Sequence, residues 1–496
     1  MKTQTKQIMK KFFLSFLAVT ALTFTSCGDD DGDGTDANDL DGDGIENSID
    51  NCPTTFNANE EDNDNDGIGN VCDSTPDGEA NAPTCDDGIQ NGDEEGVDCG
   101  GSCSNDCPGT TVVVTESITS DTTWSSDFVY NLDGRIFVES GATLTIEAGT
   151  IIKANAGTGT NASVLVVARG ATLVADGTAS APIVFTSAAD NIAYGETAGT
   201  NLDQNDRGLW GGLIVLGNAP ISDSGDEGEA QIEGIPADDT RGLYGGTDAA
   251  DGAGTIIDYV SIRHGGALIG EGNEINGLTL GGVGTGAVVS NIEVVANVDD
   301  GIEFFGGSVN ATNLFVWAQG DDGLDIDQAY TGTIDNAIVV QGDASDHAME
   351  IDGPEGSLQG GYTLQNITLI GIDNKESGGE IADYRSNAQG SNSNILVTGF
   401  TGNVVDLQLS DVELDNDGVA NNYTAGTLTF MMWEVVLPTG VTTSAEIFDD
   451  RSDVGSTFEA DAATFSTAVA DGAATVGATT SAFSWTYSNT KASLGF

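Results

Sequence analysis

The chain repeats one short motif through its second half: Asn291-Ile-Glu-Val-Val, Asn313-Leu-Phe-Val-Trp, Asn336-Ala-Ile-Val-Val, Asn366-Ile-Thr-Leu-Ile and Asn394-Ile-Leu-Val-Thr. The motifs begin 22, 23, 30 and 28 residues apart. Each is an apolar strand opened by asparagine, and turns rich in Gly, Asn and Asp separate them. A period of roughly 20–30 residues with this composition is typical of a parallel β-helix, in which each period is one coil. We therefore predict an all-β solenoid over residues 110–496.

Strands of the same kind extend toward the N-terminus. The stretch Gly141-Ala-Thr-Leu-Thr-Ile-Glu-Ala-Gly149-Thr-Ile-Ile resembles the first coils of bacterial right-handed β-helix proteins, which implies a right-handed solenoid. We expect about 12–15 coils stacked about 4.8 Å apart, with the recurrent asparagines hydrogen-bonded from coil to coil as a ladder. A β-sandwich is the alternative fold, and the regular spacing of the Asn-led strands argues against it.

The charge of the chain excludes one class of function. Its 496 residues include 79 Asp and Glu against 14 Lys and Arg, for a formal net charge of −65. Residues 28–110 hold 25 of these acids and no Lys or Arg. Nucleic-acid binding needs a basic surface that releases counterions from phosphates, so we exclude it. A polyanionic substrate would need bound divalent cations.

The first 27 residues are typical of a targeting segment. Lys2, Lys6, Lys10 and Lys11 precede a largely apolar run over residues 12–24, which is too short to span a bilayer. The sequence ending in Cys27 resembles a bacterial lipobox, which implies lipidation of that cysteine and an outer-membrane anchor. The acidic run that follows is similar to the export signal of surface lipoproteins in the Bacteroidetes, which implies exposure to the cell exterior. Ordinary secretory cleavage is the alternative.

Two acidic loops follow with the spacing of a calcium-binding loop. Oxygen ligands recur at loop positions 1, 3, 5, 7, 9 and 12, with glycine at position 6. The predicted ligands are Asp39, Asp41, Asp43, Ile45 through its carbonyl, Asn47 and Asp50 in the first loop, and Asp62, Asp64, Asp66, Ile68, Asn70 and Asp73 in the second. The stretch over residues 39–73 resembles thrombospondin type 3 repeats, which implies bound Ca²⁺. A solvated acidic linker without metal is the alternative.

The remaining six cysteines lie between residues 52 and 107. An even number of cysteines in an exported chain predicts disulfides. The thrombospondin resemblance implies that Cys52 pairs with Cys72, while the pairing among Cys85, Cys99, Cys103 and Cys107 stays open. A zinc site is the rival interpretation. Because this segment has few apolar residues, we expect metal and disulfides to order it as a stiff acidic stalk.

Three coils of the predicted solenoid align their acidic turns, at residues 298–303, 320–325 and 345–350. The alignment predicts three lines of side chains along the solenoid: Asp299, Asp321 and Asp346; Asp300, Asp322 and His347; and Glu303, Asp325 and Glu350. We expect the next coil to extend the third line with Glu380. Carboxylates about 4.8 Å apart repel unless they are protonated, solvated or bridged by a cation. Metal binding, turn formation, catalysis and non-catalytic binding of a glycan or protein are therefore all open.

The same turns resemble the catalytic elements of polygalacturonase-type β-helix glycosidases. The resemblance implies that Asp322 is the general acid, that Asp300 and Asp321 activate water, and that His347 assists. It also makes Arg385 a candidate substrate clamp. The motif departs from that family where Asp346-His347-Ala348 replaces Gly-His-Gly and where no Arg-x-Lys follows. Arg263, at the end of another strand, is expected either to edge a site or to pair internally with Asp258 or Glu274.

These features predict five segments: a signal peptide at residues 1–26, an acidic tether at 27–38, calcium repeats at 39–80, a Cys-rich knot at 81–109 and the β-helix at 110–496. The layout resembles surface lipoproteins with a β-helix. We interpret the protein as a Ca²⁺-binding surface lipoprotein that acts in adhesion or glycan binding, with a glycan or a surface protein as partner. The alternatives are a polygalacturonase-like glycoside hydrolase and a structural subunit of an outer-membrane complex.

Overall fold

The computed structural model describes residues 38–63, 67–74, 85–86, 88–268, 274–372, 380–400 and 411–494. The chain divides into two compact units, Met1–Asn105 and Asp106–Phe496. The predicted signal peptide, the lipidation site Cys27, and the calcium ligands Asp64 and Asp66 lie outside the described residues.

The second unit is built from short strands. They are β1 (Thr111–Val114), β2 (Thr122–Trp124), β3 (Val129–Leu132), β4 (Arg135–Val138), β5 (Thr143–Ile146), β6 (Ile151–Ala154), β7 (Val164–Val167), β8 (Thr172–Asp176), β9 (Ile183–Ser187), β10 (Leu213–Leu216), β11 (Ala230–Gln231), β12 (Leu243–Tyr244), β13 (Ile256–Arg263), β14 (Leu278–Gly281), β15 (Val288–Val295), β16 (Ile302–Phe305), β17 (Ala311–Trp317), β18 (Leu324–Asp327), β19 (Thr333–Val340), β20 (His347–Ile351), β21 (Tyr362–Ile370), β22 (Glu380–Tyr384), β23 (Gly390–Thr398), β24 (Val412–Leu414), β25 (Leu428–Val436), β26 (Phe448–Asp450) and β27 (Ser466–Val469). Within the described residues, three α-helices accompany them: α1 (Asp417–Ala425), α2 (Phe458–Phe465) and α3 (Tyr487–Ala492).

Two parallel sheets carry all of these strands except β11 and β12, which pair with each other antiparallel. Within the described residues, sheet 1 has 15 strands, and its main path runs β1-β3-β6-β9-β13-β15-β17-β19-β21-β23-β25-β27. Sheet 2 has ten strands in the order β4-β7-β10-β14-β16-β18-β20-β22-β24-β26. Each coil adds one strand to sheet 2 and either one long strand or two short ones to sheet 1, so strands that are neighbours in a sheet are separated in sequence by a whole coil. The predicted parallel β-helix is confirmed, and the three short helices were not predicted.

The recurrent asparagines mark a bend in the coils of sheet 1. Strands β8 and β9 both pair with β13, so the single long strand β13 takes the place of two short strands in the preceding coil. At the bend, the backbone adopts the left-handed conformation, which asparagine tolerates better than most residues. This conformation occurs at Asn291, Asn313, Asn336, Asn366 and Asn394.

These asparagines form the predicted ladder. Asn313 donates to Asn291 at 2.9 Å and Asn336 donates to Asn313 at 2.6 Å. One rung differs, because Asn366 donates to Asp335 and not to Asn336. Asn394 donates to Asn366 and restores the pattern. The ladder therefore holds the bend in the same place from coil to coil.

The first unit is held by disulfides. Cys52 pairs with Cys72, as the thrombospondin resemblance implied, and Cys85 pairs with Cys103. Cys99 and Cys107 are disulfide-bonded as well, so the zinc interpretation of these cysteines is wrong. Disulfides persist in oxidising compartments, which indicates that the chain works outside the cytoplasm. Across the described ranges, no helix has the length and apolarity needed to cross a bilayer.

Candidate functional site

A row of carboxylates follows the outer face of sheet 2. From β16 onward, each strand places its apolar residues in the core and turns the intervening acid outward, as β18 does with Leu324 and Ile326 inside and Asp325 outside. The strand register brings six such acids into one line, which we call the acid row: Glu303, Asp325, Glu350, Asp383, Glu413 and Asp449. The first three members were predicted from the sequence.

The predicted continuation of this line was wrong. Glu380 pairs in register with His347, and Asp383 pairs with Glu350. The residue of β22 that lies beside Glu350 is therefore Asp383, three residues after the predicted Glu380. Sequence reasoning missed Asp383, Glu413 and Asp449. A usable signal was present, because Glu380 and Asp383 repeat the three-residue spacing of His347 and Glu350 in the preceding coil.

The start of the acid row is covered by another part of the chain. Outward apolar side chains of the first strands of sheet 2, such as Val166 and Ile214, pack against Ile232 and Ile235 in the segment around β11 and β12. The same segment brings Glu233 to the acids, and sequence reasoning did not single this residue out. The Asn276 amide donates to Glu233 at 3.1 Å and also to Glu303.

The line of Asp300, Asp322 and His347 connects successive coils through hydrogen bonds. Asp300 Oδ1 accepts from the Asp322 amide at 3.0 Å, and Asp322 Oδ1 accepts from the His347 amide at 2.8 Å. Asn276 makes the same contact one coil earlier, with the Asp300 amide at 3.2 Å. Asp300 and Asp322 are 7% and 3% exposed. These two carboxylates therefore have a definite structural role in joining the coils.

His347 is surrounded by carboxylates. Its Nδ1 lies 2.8 Å from Asp322 and 3.5 Å from Glu350, and its Nε2 lies 3.4 Å from Glu380. Burial lowers the pKa of His347, but hydrogen bonds with Asp322 and Glu380 outweigh burial and raise that pKa to about 11. The imidazole is therefore a cation at neutral pH, which suits ion pairing and does not suit a general base.

The outermost line, Asp299, Asp321 and Asp346, is the most accessible of the three. One carboxylate oxygen from each of Asp299, Asp300 and Asp321 lies within 4.8 Å of the other two. Burial and then the charge of Asp321 raise the pKa of Asp299 to about 7. Burial and then Asp322 raise the pKa of Asp321 to about 6. These carboxyl groups exchange protons near neutral pH, a property of groups that perform acid–base work.

The acid row divides into a first half, Glu303 and Asp325, and a second half, Glu350, Asp383, Glu413 and Asp449, which have different neighbours. Burial, followed by the charge of nearby carboxylates, raises the pKa of Glu303 and Asp325 well above their usual range. Neither side chain has a salt bridge within the described residues. In the second half, Arg385 contacts Glu350, Asp352 and Asp383. Arg451 contacts Asp411, Glu413 and Asp449.

The first unit brings its predicted calcium ligands together. Carboxylate oxygens of Asp39, Asp41 and Asp43 lie within 4.8 Å of one another. Among the described residues, both Asp41 oxygens are buried without a hydrogen-bond partner, as is Asp50 Oδ2. Glu60, which the sequence did not predict, joins Asp43 and Asp50 within the same 4.8 Å limit.

Other predicted ligands stabilise the loops through hydrogen bonds. Asn47 Oδ1 accepts from the Leu40 amide at 3.0 Å, and Asn70 Oδ1 accepts from the Asn63 amide at 2.9 Å in the second loop. Asp39 Oδ1 accepts from the Gly42 amide at 2.8 Å. The oxygen-rich donor set and the orphaned Asp41 and Asp50 atoms fit a hard cation of the size of Ca²⁺.

Comparison with known families agrees with this architecture. A family described as pectate-lyase like beta helix domain matches residues 116–489. The chain belongs to this family. No curated protein matches this pectate-lyase-like chain, and no solved structure does. Membership is consistent with carbohydrate binding or processing.

In this pectate-lyase-like β-helix, the four residues that the sequence singled out for catalysis occupy two adjacent lines. Asp300, Asp322 and His347 are joined by hydrogen bonds, and Asp321 is exposed beside them. Arg385, the candidate substrate clamp, contacts three carboxylates of its own chain. Arg263 pairs with Glu293, and both expected partners, Asp258 and Glu274, were wrong.

Proposed function

We propose that the chain is an exported surface lipoprotein whose β-helix binds a carbohydrate at the carboxylates of sheet 2. The observation that carries the proposal is the accessible line of Asp299, Asp321 and Asp346 beside the acid row, on a pectate-lyase-like β-helix. Carboxylates accept hydrogen bonds from sugar hydroxyls, and charged acceptors make the stronger bonds. The net charge of −65 favours neutral or basic glycans over polyanionic ones.

Direct binding tests this function. Purified residues 28–496 would be titrated with neutral, basic and acidic polysaccharides in the presence of Ca²⁺. We expect saturable binding, and a roughly tenfold weaker affinity for Asp321→Asn because one charged hydrogen-bond acceptor is lost. Asp471→Asn, an exposed acid in the turn after β27, is the matched control and should bind like the wild type. Absence of binding across the panel would contradict the proposal.

Glycoside hydrolysis is the second candidate. It is favoured by the pKa of Asp299, raised to about 7 by burial and Asp321, which gives a carboxyl group able to donate a proton near neutral pH. The measurement is release of reducing ends by the same protein. Loss of that release in Asp299→Asn, with glycan binding retained, would establish an enzyme. Binding without release would leave a carbohydrate-binding protein.

A structural role in an outer-membrane complex gives a third result. It predicts neither glycan binding nor reducing-end release, and instead recovery of one membrane protein in fixed ratio with the tethered chain. The test is crosslinking on intact cells followed by mass spectrometry.

The first unit is proposed to bind Ca²⁺ through the predicted loops, with Glu60 as a further ligand. The orphaned oxygens of Asp41 and Asp50 support this proposal. We expect EDTA to make residues 28–110 sensitive to protease and excess Ca²⁺ to reverse the effect. Unchanged digestion in chelator would contradict it. Asp41→Asn with Glu60→Gln should reproduce the effect of EDTA without chelator.

The lipid anchor at Cys27 and exposure to the cell exterior are part of the same proposal. The support is the lipobox-like sequence together with the disulfides, which indicate export. We expect the wild type to partition with detergent and Cys27→Ala to partition with the aqueous phase. Protease added to intact cells should remove the anchored protein if it faces the exterior.

A further inference from the structure

The C-terminal segment of the chain runs back over the solenoid. Residues 475–494, which we call the strap, follow the last strand β27 and lie across the outer face of sheet 1. Their contacts progress strand by strand: Thr475 with Glu434 on β25, Gly477 with Asn394 on β23, Ala478 with Thr368 on β21, Thr479 with Asn336 on β19, Phe483 with Phe315 on β17, Ser488 with Glu293 on β15, and Tyr487 with Arg263 on β13. One short segment therefore contacts seven successive coils.

The far end of the strap is held by a buried carboxylate. Glu293 is fully buried, and its Oε1 accepts from the backbone amide and the hydroxyl of Ser488, both at 2.7 Å. Its Oε2 accepts from the Tyr487 amide at 3.2 Å and from the Ser261 hydroxyl at 2.5 Å. Arg263, which is also buried, lies 4.3 Å from the Tyr487 ring and pairs with Glu293.

The middle of the strap covers an apolar surface. Phe483 and Tyr487 pack with outward side chains of three coils of sheet 1, including Phe315, Trp317 and Ile338. Trp317 is 7% exposed and Phe315 is fully buried beneath the strap. Without the strap, these side chains would form a contiguous apolar patch on the solvent face of the sheet.

This arrangement departs from the usual energetics of a solenoid. In repeat proteins each coil contacts only its neighbours, so local unfolding starts at an end and spreads from coil to coil. The strap adds direct contacts between coils that are distant from one another, with Ser488 and Glu293 separated by 195 residues in sequence. Fraying of any coil beneath it must break contacts that the strap makes with the others.

We propose that the strap is a clasp that makes the coils from β13 to β25 unfold as one cooperative unit. Loss of the clasp would then loosen whole coils, including the strands of sheet 2 that lie outside its contacts. A strap that merely covers the apolar patch would affect only the strands of sheet 1 beneath it. Strands β22 and β24 of sheet 2 distinguish the two roles.

Hydrogen exchange measured by mass spectrometry on residues 28–496 tests the proposal. The main variant is Phe483→Ala with Ser488→Ala, which removes the aromatic contact and one hydrogen bond to Glu293 while leaving the solenoid sequence intact. Ser484→Ala, an exposed serine of the strap, is the matched control. We expect at least tenfold faster exchange in β22 and β24 in the double variant and no change in the control.

Two further results settle the interpretation. Faster exchange confined to β15, β17 and β19 would overturn the clasp and leave a local cover.

A chain ending at Asp471 should show the same loss of protection in β22 and β24, and a synthetic peptide of residues 472–496 should restore it. If the shortened chain does not fold, the double variant decides alone, because it retains the strap backbone.

Discussion

The two halves of the acid row share a register and a sheet face, and all members but Asp449 are buried, but they differ at the position two residues farther along three of the strands. That next outward position holds Asp327 in β18, and Arg385 and Arg451 directly after β22 and β26. The first half is therefore a group of carboxylates with no cation in contact among the described residues. In the second half each arginine contacts three carboxylates.

This difference indicates different roles for one repeated feature. Buried like charges raise the free energy of the folded state unless a cation or a proton compensates them. In the second half the compensating cations are the side chains of Arg385 and Arg451, so those acids have a structural explanation. In the first half the compensation must come from protons or from a bound group. Because the first half is buried and partly covered by the segment around β11 and β12, we assign the proposed ligand-binding role to the adjoining, more accessible Asp299 line.

The largest effect should come from removing the built-in cation. Arg385→Met leaves Glu350, Asp352 and Asp383 without their shared partner, and we expect the free energy of unfolding of the second unit to fall by about 2 kcal/mol. The measurement is chemical denaturation followed by circular dichroism. Arg169→Met, which breaks the pair with the half-exposed Glu229, is the matched control and should cost less than about 1 kcal/mol. Equal losses would remove the distinction between buried and surface pairs.

Neutral substitutions in the two halves of the acid row should change the free energy of unfolding in opposite directions. Glu303→Gln removes a buried acid whose charged neighbours are all carboxylates, so we expect it to stabilise the second unit by about 1 kcal/mol at pH 8. Asp383→Asn removes a partner of Arg385, so we expect a loss of about 1 kcal/mol. Both values come from denaturation at pH 8. If both variants changed the free energy of unfolding in the same direction, the two halves would not differ in the way proposed.

Stability should also depend on pH in a direction set by the raised pKa values. Burial with neighbouring carboxylates raises the pKa of Asp299 and Asp327 to about 7, and burial raises that of Glu413 to about 8. A carboxyl whose pKa is higher in the folded state binds its proton more tightly there. The stability that this tighter proton binding provides is complete below the unfolded-state pKa near 4 and is lost as the pH rises through the folded-state pKa.

We therefore expect the free energy of unfolding of the second unit to decrease by roughly 1 kcal/mol or more between pH 5.5 and 8.5. Glu303→Gln should flatten this dependence. His347 has a raised pKa as well, so the stability that its protonation provides is present below about pH 6.5 and is lost only as the pH approaches its folded value of about 11. Denaturation at a series of pH values measures the slope, and stability that increases across this window would contradict the prediction.

The sequence predicted contacts that follow the coil repeat and missed those that do not. The Asp299, Asp300 and Glu303 lines were readable because three turns share one spacing. Asp383 was missed because the loop before β22 changes the length of its coil. The Arg263 partner was sought nearby in sequence, whereas stacking places Glu293, one coil away, beside Ser261. The strap left no pattern, because its contacts follow from packing across nearly 200 residues.

The smallest effect is expected at the last member of the row. Asp449 is 45% exposed, unlike Glu413 one coil earlier at 5%, and Arg451 keeps Asp411 and Glu413 when Asp449 is neutralised. We expect Asp449→Asn to change the free energy of unfolding by less than about 0.5 kcal/mol, because exposed ion pairs contribute little. Glu413→Gln, compared at the same pH, should change it more. If the exposed and the buried acid have equal effects, the differences along the row reflect charge alone, and the contrast between its halves does not depend on burial.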